Sequence, residues 1–181
     1  PVLLALRGLL LLGLSLALSL ALSLVLSLHH GAAIAAAPEG SAGAESNAAE
    51  LAPTVLVLGD SISAAYGMSL EQGWVSLIES RLRESFATAR VVNASISGDT
   101  SSGGLRRLPA LLTEHEPDLL VIELGGNDGL RGYPTSGLRD NLVSMASLAK
   151  ATGAAVLILP MEMPPNYGSR YTSAFRKAFV D

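Results

Sequence analysis

The chain has 181 residues, with 12 Lys and Arg against 16 Asp and Glu, a net charge of −4, and an apolar fraction of 49%. That balance argues against nucleic acid or an anionic membrane surface as a partner. The absence of cysteine rules out disulfides, thiolate metal sites and a cysteine nucleophile. In chain order, Arg7 is the only charge before a run over 9–28 made almost wholly of Leu, Ala and Ser. Ser15, Ser19, Ser23 and Ser27 recur every fourth residue and so share one helical face. The run is long enough for a membrane anchor, but the small residues over 33–37 resemble the cleavage site of an export signal. Residues 1–37 are therefore read as a cleaved signal peptide, with a retained anchor as the alternative. Either reading puts the rest of the chain outside the cytoplasm. Residues 38–53 are Glu, Gly, Ser, Asn and Ala without apolar periodicity, the composition of a disordered linker.

From Thr54 the pattern becomes that of a folded domain spanning 54–181. A strand is predicted over 54–58, running straight into Gly59-Asp60-Ser61-Ile62-Ser63. Trp74, Val75, Leu77, Ile78 and Leu82 then recur at helical spacing just after Gly73. A second strand is predicted over 90–93. Leu105, Leu108, Leu111 and Leu112 mark a second helix, which must end before Pro117. A third strand over 119–124 is apolar except for Glu123, as in a strand covered on both faces. Leu138, Leu142, Met145, Leu148 and Ala149 predict a further helix stopped by Gly153. A fourth strand over 155–159 is closed by Pro160, and a last helix starts near Tyr171. Such alternation calls for an α/β fold: a parallel sheet with helices on both faces and right-handed crossovers. In a flavodoxin-like order, strand one lies between strands two and three, and ligands bind beyond the carboxyl ends at that switch point.

The chemistry gathers at those ends. Strand one stops at Ser61, the loop after strand two holds Ser97-Gly98-Asp99, and strand three stops at Gly125-Gly126-Asn127-Asp128. A hydroxyl, a backbone donor and a side-chain amide along one sheet edge make up most of an acyl-transfer site. Alone, Gly-Asp-Ser is more often just a turn, and Asn127 could equally cap a short helix; the three spaced clusters together favour the site. Gly59-Asp60-Ser61-Ile62 is not a G-x-S-x-G elbow, because the second glycine is missing. Asp60, Asp99 and Asp128 are read as loop-fixing residues. Arg131, Tyr133 and Asn166-Tyr167-Gly168 are candidates for pocket walls. Trp74 is read as a core anchor, Met161 and Met163 as either acyl-groove or packing residues, and Glu114-His115-Glu116 as a solvated helix end. A base for Ser61 is missing from this pattern. His29 and His30 lie in the leader, and His115 precedes strand three, some 16–20 Å from its far end at about 3.3 Å per residue.

Gly59-Asp60-Ser61, Gly98 and Gly125-x-Asn127-Asp128 resemble the first three blocks of the SGNH, or GDSL-type, hydrolases. Longer stretches over 92–101, 123–132 and 166–168 are similar to the bacterial periplasmic thioesterase, lysophospholipase and arylesterase subgroup. The resemblance covers nearly all of 54–181. It implies an SGNH hydrolase fold, a flavodoxin-like three-layer α/β/α arrangement. It also implies hydrolysis of acyl esters or thioesters of small molecules or lipids, with neither metal nor organic cofactor. Ser61 would be the nucleophile, Gly98 and Asn127 would complete the oxyanion hole, and the protein would be periplasmic or secreted. The family's fourth block, an Asp-x-x-His that supplies the base, does not occur in this sequence. The expectation is a chain truncated before the last strand and helix of the fold, with that block beyond Asp181 and residues 54–181 inactive by themselves. Carbohydrate O-deacetylation and a non-catalytic flavodoxin-like module are the alternatives. No nucleic-acid partner is implied, and membrane contact is expected only through an uncleaved leader.

Overall fold

The computed structural model describes residues 53–180. The signal or anchor assigned to 1–37 and nearly all of the linker assigned to 38–53 lie outside the described residues. Four parallel strands, β1 (Thr54–Gly59), β2 (Arg90–Asn93), β3 (Leu119–Glu123) and β4 (Ala155–Ile158), form a sheet in the order β2-β1-β3-β4. The crossovers carry helices α1 (Trp74–Ser85), α2 (Ser101–His115), α3 (Gly126–Leu130) and α4 (Thr135–Ala151), and α5 (Ser169–Lys177) follows β4. The order is the flavodoxin-like one, with β1 inside and its carboxyl end flanked by those of β2 and β3.

The buried strands explain their own composition. After Thr54 every residue of β1 is buried, as is every residue of β3, so both faces demand apolar side chains. All four residues of β4 are only partly buried. Leu56, Leu58, Leu120, Ile122 and Leu124 meet Leu108 and Leu112 of α2 and Leu138, Leu142 and Met145 of α4 in the main core, which Phe175 of α5 also enters. Two residues chosen from helical spacing do not belong there: Leu77 and Leu148 are exposed on the outer flanks of α1 and α4. Periodicity finds the buried stripe, but its edge is set by what the helix packs against.

Local signals account for the boundaries. The Thr100 hydroxyl accepts the Gly103 N–H at 3.2 Å, capping the start of α2. Helix α4 ends where the Gly153 and Ala154 N–H groups fold back onto the carbonyls of Lys150 and Ala149, at 3.0 and 3.2 Å. The short helix α3, which carries Asn127, is not resolved by the sequence pattern. At 5 residues it has no amphipathic period to read.

Candidate active site

Gly59, the last residue of β1, lacks the atom that would block the turn after it. A β-carbon there would lie 2.5 Å from the Ser63 Oγ and 2.9 Å from the Ser95 Oγ. With glycine in place, the chain folds into one helical turn. The Ala64 N–H donates to the Asp60 carbonyl at 2.9 Å and the Tyr66 N–H to the Ser61 carbonyl at 3.0 Å, with Ala65 closing the turn at a φ of 57°. Ser61 is the second residue of this turn and is partly buried. Its N–H and hydroxyl donate to nothing among the described residues.

Two neighbouring loops close around this turn. After β2, the Ile96 N–H donates to the Gly59 carbonyl at 3.0 Å, which brings the loop against the end of β1. The loop then makes a β-turn, closed by the Asp99 N–H on the Ile96 carbonyl at 3.0 Å, with Gly98 in its third position at a φ of 80°. That φ is one glycine adopts freely and other residues do not. The Gly98 N–H has no acceptor among the described residues. Its carbonyl takes a 3.0 Å hydrogen bond from Arg131 Nη2. Arg107 braces the same loop, bonding Asp99 Oδ2 at 2.7 Å and the Ala94 carbonyl at 2.9 Å.

After β3, Asn127 donates one amide hydrogen from Nδ2 to Asp60 Oδ2 at 3.0 Å. Asp60 is the neighbour of Ser61, so this bond fixes the amide beside the serine and leaves its second hydrogen free to face a ligand. Asp60 Oδ1 accepts the Ile62 N–H at 3.0 Å. Burial raises the Asp60 carboxyl above its ordinary pKa, the Ile62 and Asn127 bonds work against that, and the charges of Asp99 and Asp128 add to it. Helix α3 is itself anchored: buried Asp128 accepts the Ser101 N–H at 2.9 Å and the Ser101 hydroxyl at 2.6 Å, and Asn141 Nδ2 donates to that hydroxyl at 2.9 Å. All three aspartates therefore hold loops, as expected of them.

The structure thus brings Ser61, Gly98 and Asn127 to one sheet edge, each beside a bond that links its loop to a neighbour. His115 ends α2 at the opposite edge, before β3 begins; it is the only histidine among the described residues, and its side chain is largely buried rather than solvated. Met163 is a core residue packed against Gly129 and Phe175. Met161 is placed differently, with its sulfur 3.2 Å from where a Gly126 β-carbon would stand. Trp74 is partly buried at the start of α1. Tyr167 stacks on Tyr171 with ring centroids 6.3 Å apart. A shallow hollow of about 480 Å³ runs from Tyr167 to Ala174 and includes none of Ser61, Gly98 and Asn127. Among the described residues no group of three or more His, Asp or Glu is placed to hold a metal.

Glu123 and Ser63 are the site residues that sequence reasoning missed. The Ser63 hydroxyl donates to Glu123 Oε2 at 2.6 Å, and both residues are buried. The signal was present: a lone carboxylate ending an otherwise apolar, doubly covered strand must have a partner.

Residues 57–181 match the profile of the GDSL-like lipase/acylhydrolase family. The chain belongs to that family. Among its relatives, esterase TesA of Pseudomonas aeruginosa is 60% identical over 128 residues, covering 71% of this chain and 64% of TesA. The thioesterase 1/protease 1/lysophospholipase L1 of Escherichia coli K12 is 46% identical over 127 residues, covering 70% of this chain and 60% of that protein. The chain thus spans somewhat less than two thirds of the length of either. A crystal structure of TesA superposes with a TM-score of 0.68 at 60% identity, covering 70% of this chain and 71% of that one. The expected family and α/β fold are both established by these matches.

Proposed function

We propose that the intact protein is an exported serine hydrolase that cleaves carboxylic esters and thioesters through an acyl-enzyme on Ser61. The observation that carries this reading is the 3.0 Å bond from Asn127 Nδ2 to Asp60, which holds an amide donor beside the serine. In the reaction the Ser61 Oγ attacks the acyl carbon and passes its proton to a base. The carbonyl oxygen takes up negative charge between the N–H groups of Ser61 and Gly98 and the second amide hydrogen of Asn127. Collapse of the intermediate expels the alcohol or thiol, which takes the proton back from the base. Water then repeats the sequence on the acyl-enzyme. Pre-set donors of this kind need no reorganisation as charge develops. We assign the base to the Asp-x-x-His pair of the family's fourth block, which these 181 residues do not contain.

Ile62, Ile96, Leu130 and Tyr133 are exposed and follow or precede Ser61, Gly98 and Asn127 closely in the chain, which suits an apolar acyl group better than a sugar. The leader read over 1–37 supports export to the periplasm or beyond. The test is turnover of p-nitrophenyl esters by the intact protein and its Ser61→Ala variant. A loss of about 10⁴–10⁶ in kcat is expected, and undiminished turnover rejects the assignment.

A further inference from the structure

Glu123 ends β3 directly opposite Gly59 in the β1–β3 register and is 4% exposed. A carboxyl removed from water needs partners, and Glu123 draws its own, the Ser63 hydroxyl and the backbone N–H groups of Asp60 and Ser63, from the turn that carries Ser61. Its Oε2 accepts the Ser63 hydroxyl at 2.6 Å and the Asp60 N–H at 3.4 Å, one on each side of Ser61 in sequence. From β2, which flanks β1 on the side away from β3, Asn93 Nδ2 donates to the Ser63 carbonyl at 2.8 Å. The Glu123 Oε1 is buried and has no hydrogen-bond partner among the described residues.

We propose that Glu123 is a positioning residue for Ser61, a buried carboxyl on β3 that pins the turn on both sides of the nucleophile and does so as the neutral acid. This inference rests on Ser61 being the nucleophile. The division of labour between the two oxygens follows from the contacts. Oε1, which accepts from no donor, carries the proton, and Oε2 stays free as the acceptor. Ionisation would leave Oε1 charged in a buried place without a donor. It would also put a second negative charge behind the N–H groups that face the developing oxyanion, opposing the charge formed in the transition state. Burial pushes the Glu123 carboxyl up to about 7, the Ser63 hydrogen bond acts against that, and the charge of Asp60 adds to it. Asp60 is the charged group acting on Glu123, while Asp99 and Asp128 act on Asp60 in turn. The Ser95 hydroxyl, from the loop after β2, is the uncharged neighbour beneath Gly59, and β4 contributes only apolar side chains.

The test compares kcat and KM of the intact protein with those of its Glu123→Gln, Glu123→Ala, Ser63→Ala and Ser61→Ala variants, from about pH 5 to about pH 9. Glu123→Ala should lower kcat roughly 10–100-fold at nearly unchanged KM, the cost of a misplaced nucleophile. Glu123→Gln, which keeps a neutral acceptor, should restore most of that loss at about pH 6 and lack the decline that the unaltered protein shows above about pH 7. Ser63→Ala should move that decline to higher pH. The proposal is overturned if Glu123→Ala keeps full kcat, or if the ratio of Glu123→Gln to unaltered rates stays constant across the range. Should Glu123→Ala not fold, the pH profiles of the other two variants decide. Turnover surviving in Ser61→Ala sinks the hydrolase reading itself. An inactive Ser61→Ala beside Glu123 variants with unaltered profiles sinks only the role of Glu123.

Discussion

Replacing Gly59 with alanine tests the packing beneath the proposed nucleophile. The new β-carbon would stand 2.5 Å from the Ser63 Oγ and 2.6 Å from the Ser63 Cβ, whereas ordinary contact begins near 3.4 Å. Ser63 must therefore retreat by about 0.9 Å, yet its hydroxyl is fully buried and bonded to Glu123 at 2.6 Å. Overpacking of this kind costs about 1–3 kcal/mol. If the retreat also breaks the Ser63–Glu123 bond and leaves buried polar groups unpaired, about 1–3 kcal/mol is added. With both effects the expected destabilisation of Gly59→Ala is about 2–6 kcal/mol, read by equilibrium urea unfolding of the intact protein. Because Ser61 shares the turn with Ser63, a shift approaching 1 Å should also lower kcat about 10²-fold. The double variant Gly59→Ala/Ser63→Gly removes the two closest crowding atoms, leaving the Ser95 Oγ at 2.9 Å, and should recover at least about 1 kcal/mol relative to simple addition of the two single effects. A Gly59→Ala protein of unaltered stability and turnover would refute the packing account, as would strictly additive effects in the double variant.

Three further outcomes are expected. Asn127→Ala should lower kcat about 10²–10³-fold with little change in KM, since the amide contributes most when the substrate oxygen is charged; steady-state kinetics on a p-nitrophenyl ester reads this. Gly98→Ala meets only the Arg131 Nη2, at 3.8 Å, so its cost comes from a backbone φ of 80° rather than from crowding. A penalty of about 1–2 kcal/mol in unfolding free energy should accompany reduced kcat. Glu123 gives stability a definite pH dependence. Its folded pKa of about 7 lies above the ordinary 4.5, so the folded state holds an extra proton between those values. The contribution is complete below about pH 4.5 and is lost as pH rises through about 7, by up to roughly 3 kcal/mol. Glu123→Gln should flatten that decline in urea-unfolding curves measured across the window.

Much of the fold was legible because its signals are local. Alternating apolar runs and helical stripes mark β1 to β4 and the longer helices, Gly153 marks the stop of α4, and the small polar clusters at Ser61, Gly98 and Asn127 stand where strands end. A strand covered on both faces must be apolar throughout, and a chain that alternates strand and helix has few ways to fold. The limits of that legibility are equally physical. Leu77 and Leu148 have the right spacing yet face solvent, because a helix buries only what its neighbours cover. Helix α3 is too short to show a period.

What only the tertiary structure decided is which distant groups meet. The strand order β2-β1-β3-β4 sets Ser61 between the Gly98 and Asn127 loops. The bonds from Asn127 to Asp60 and from Ser63 to Glu123 join residues 67 and 60 positions apart. No sequence period encodes such pairs. They exist because parallel strands bring their carboxyl ends to a common edge, where buried polar groups must find partners among whatever the neighbouring loops supply.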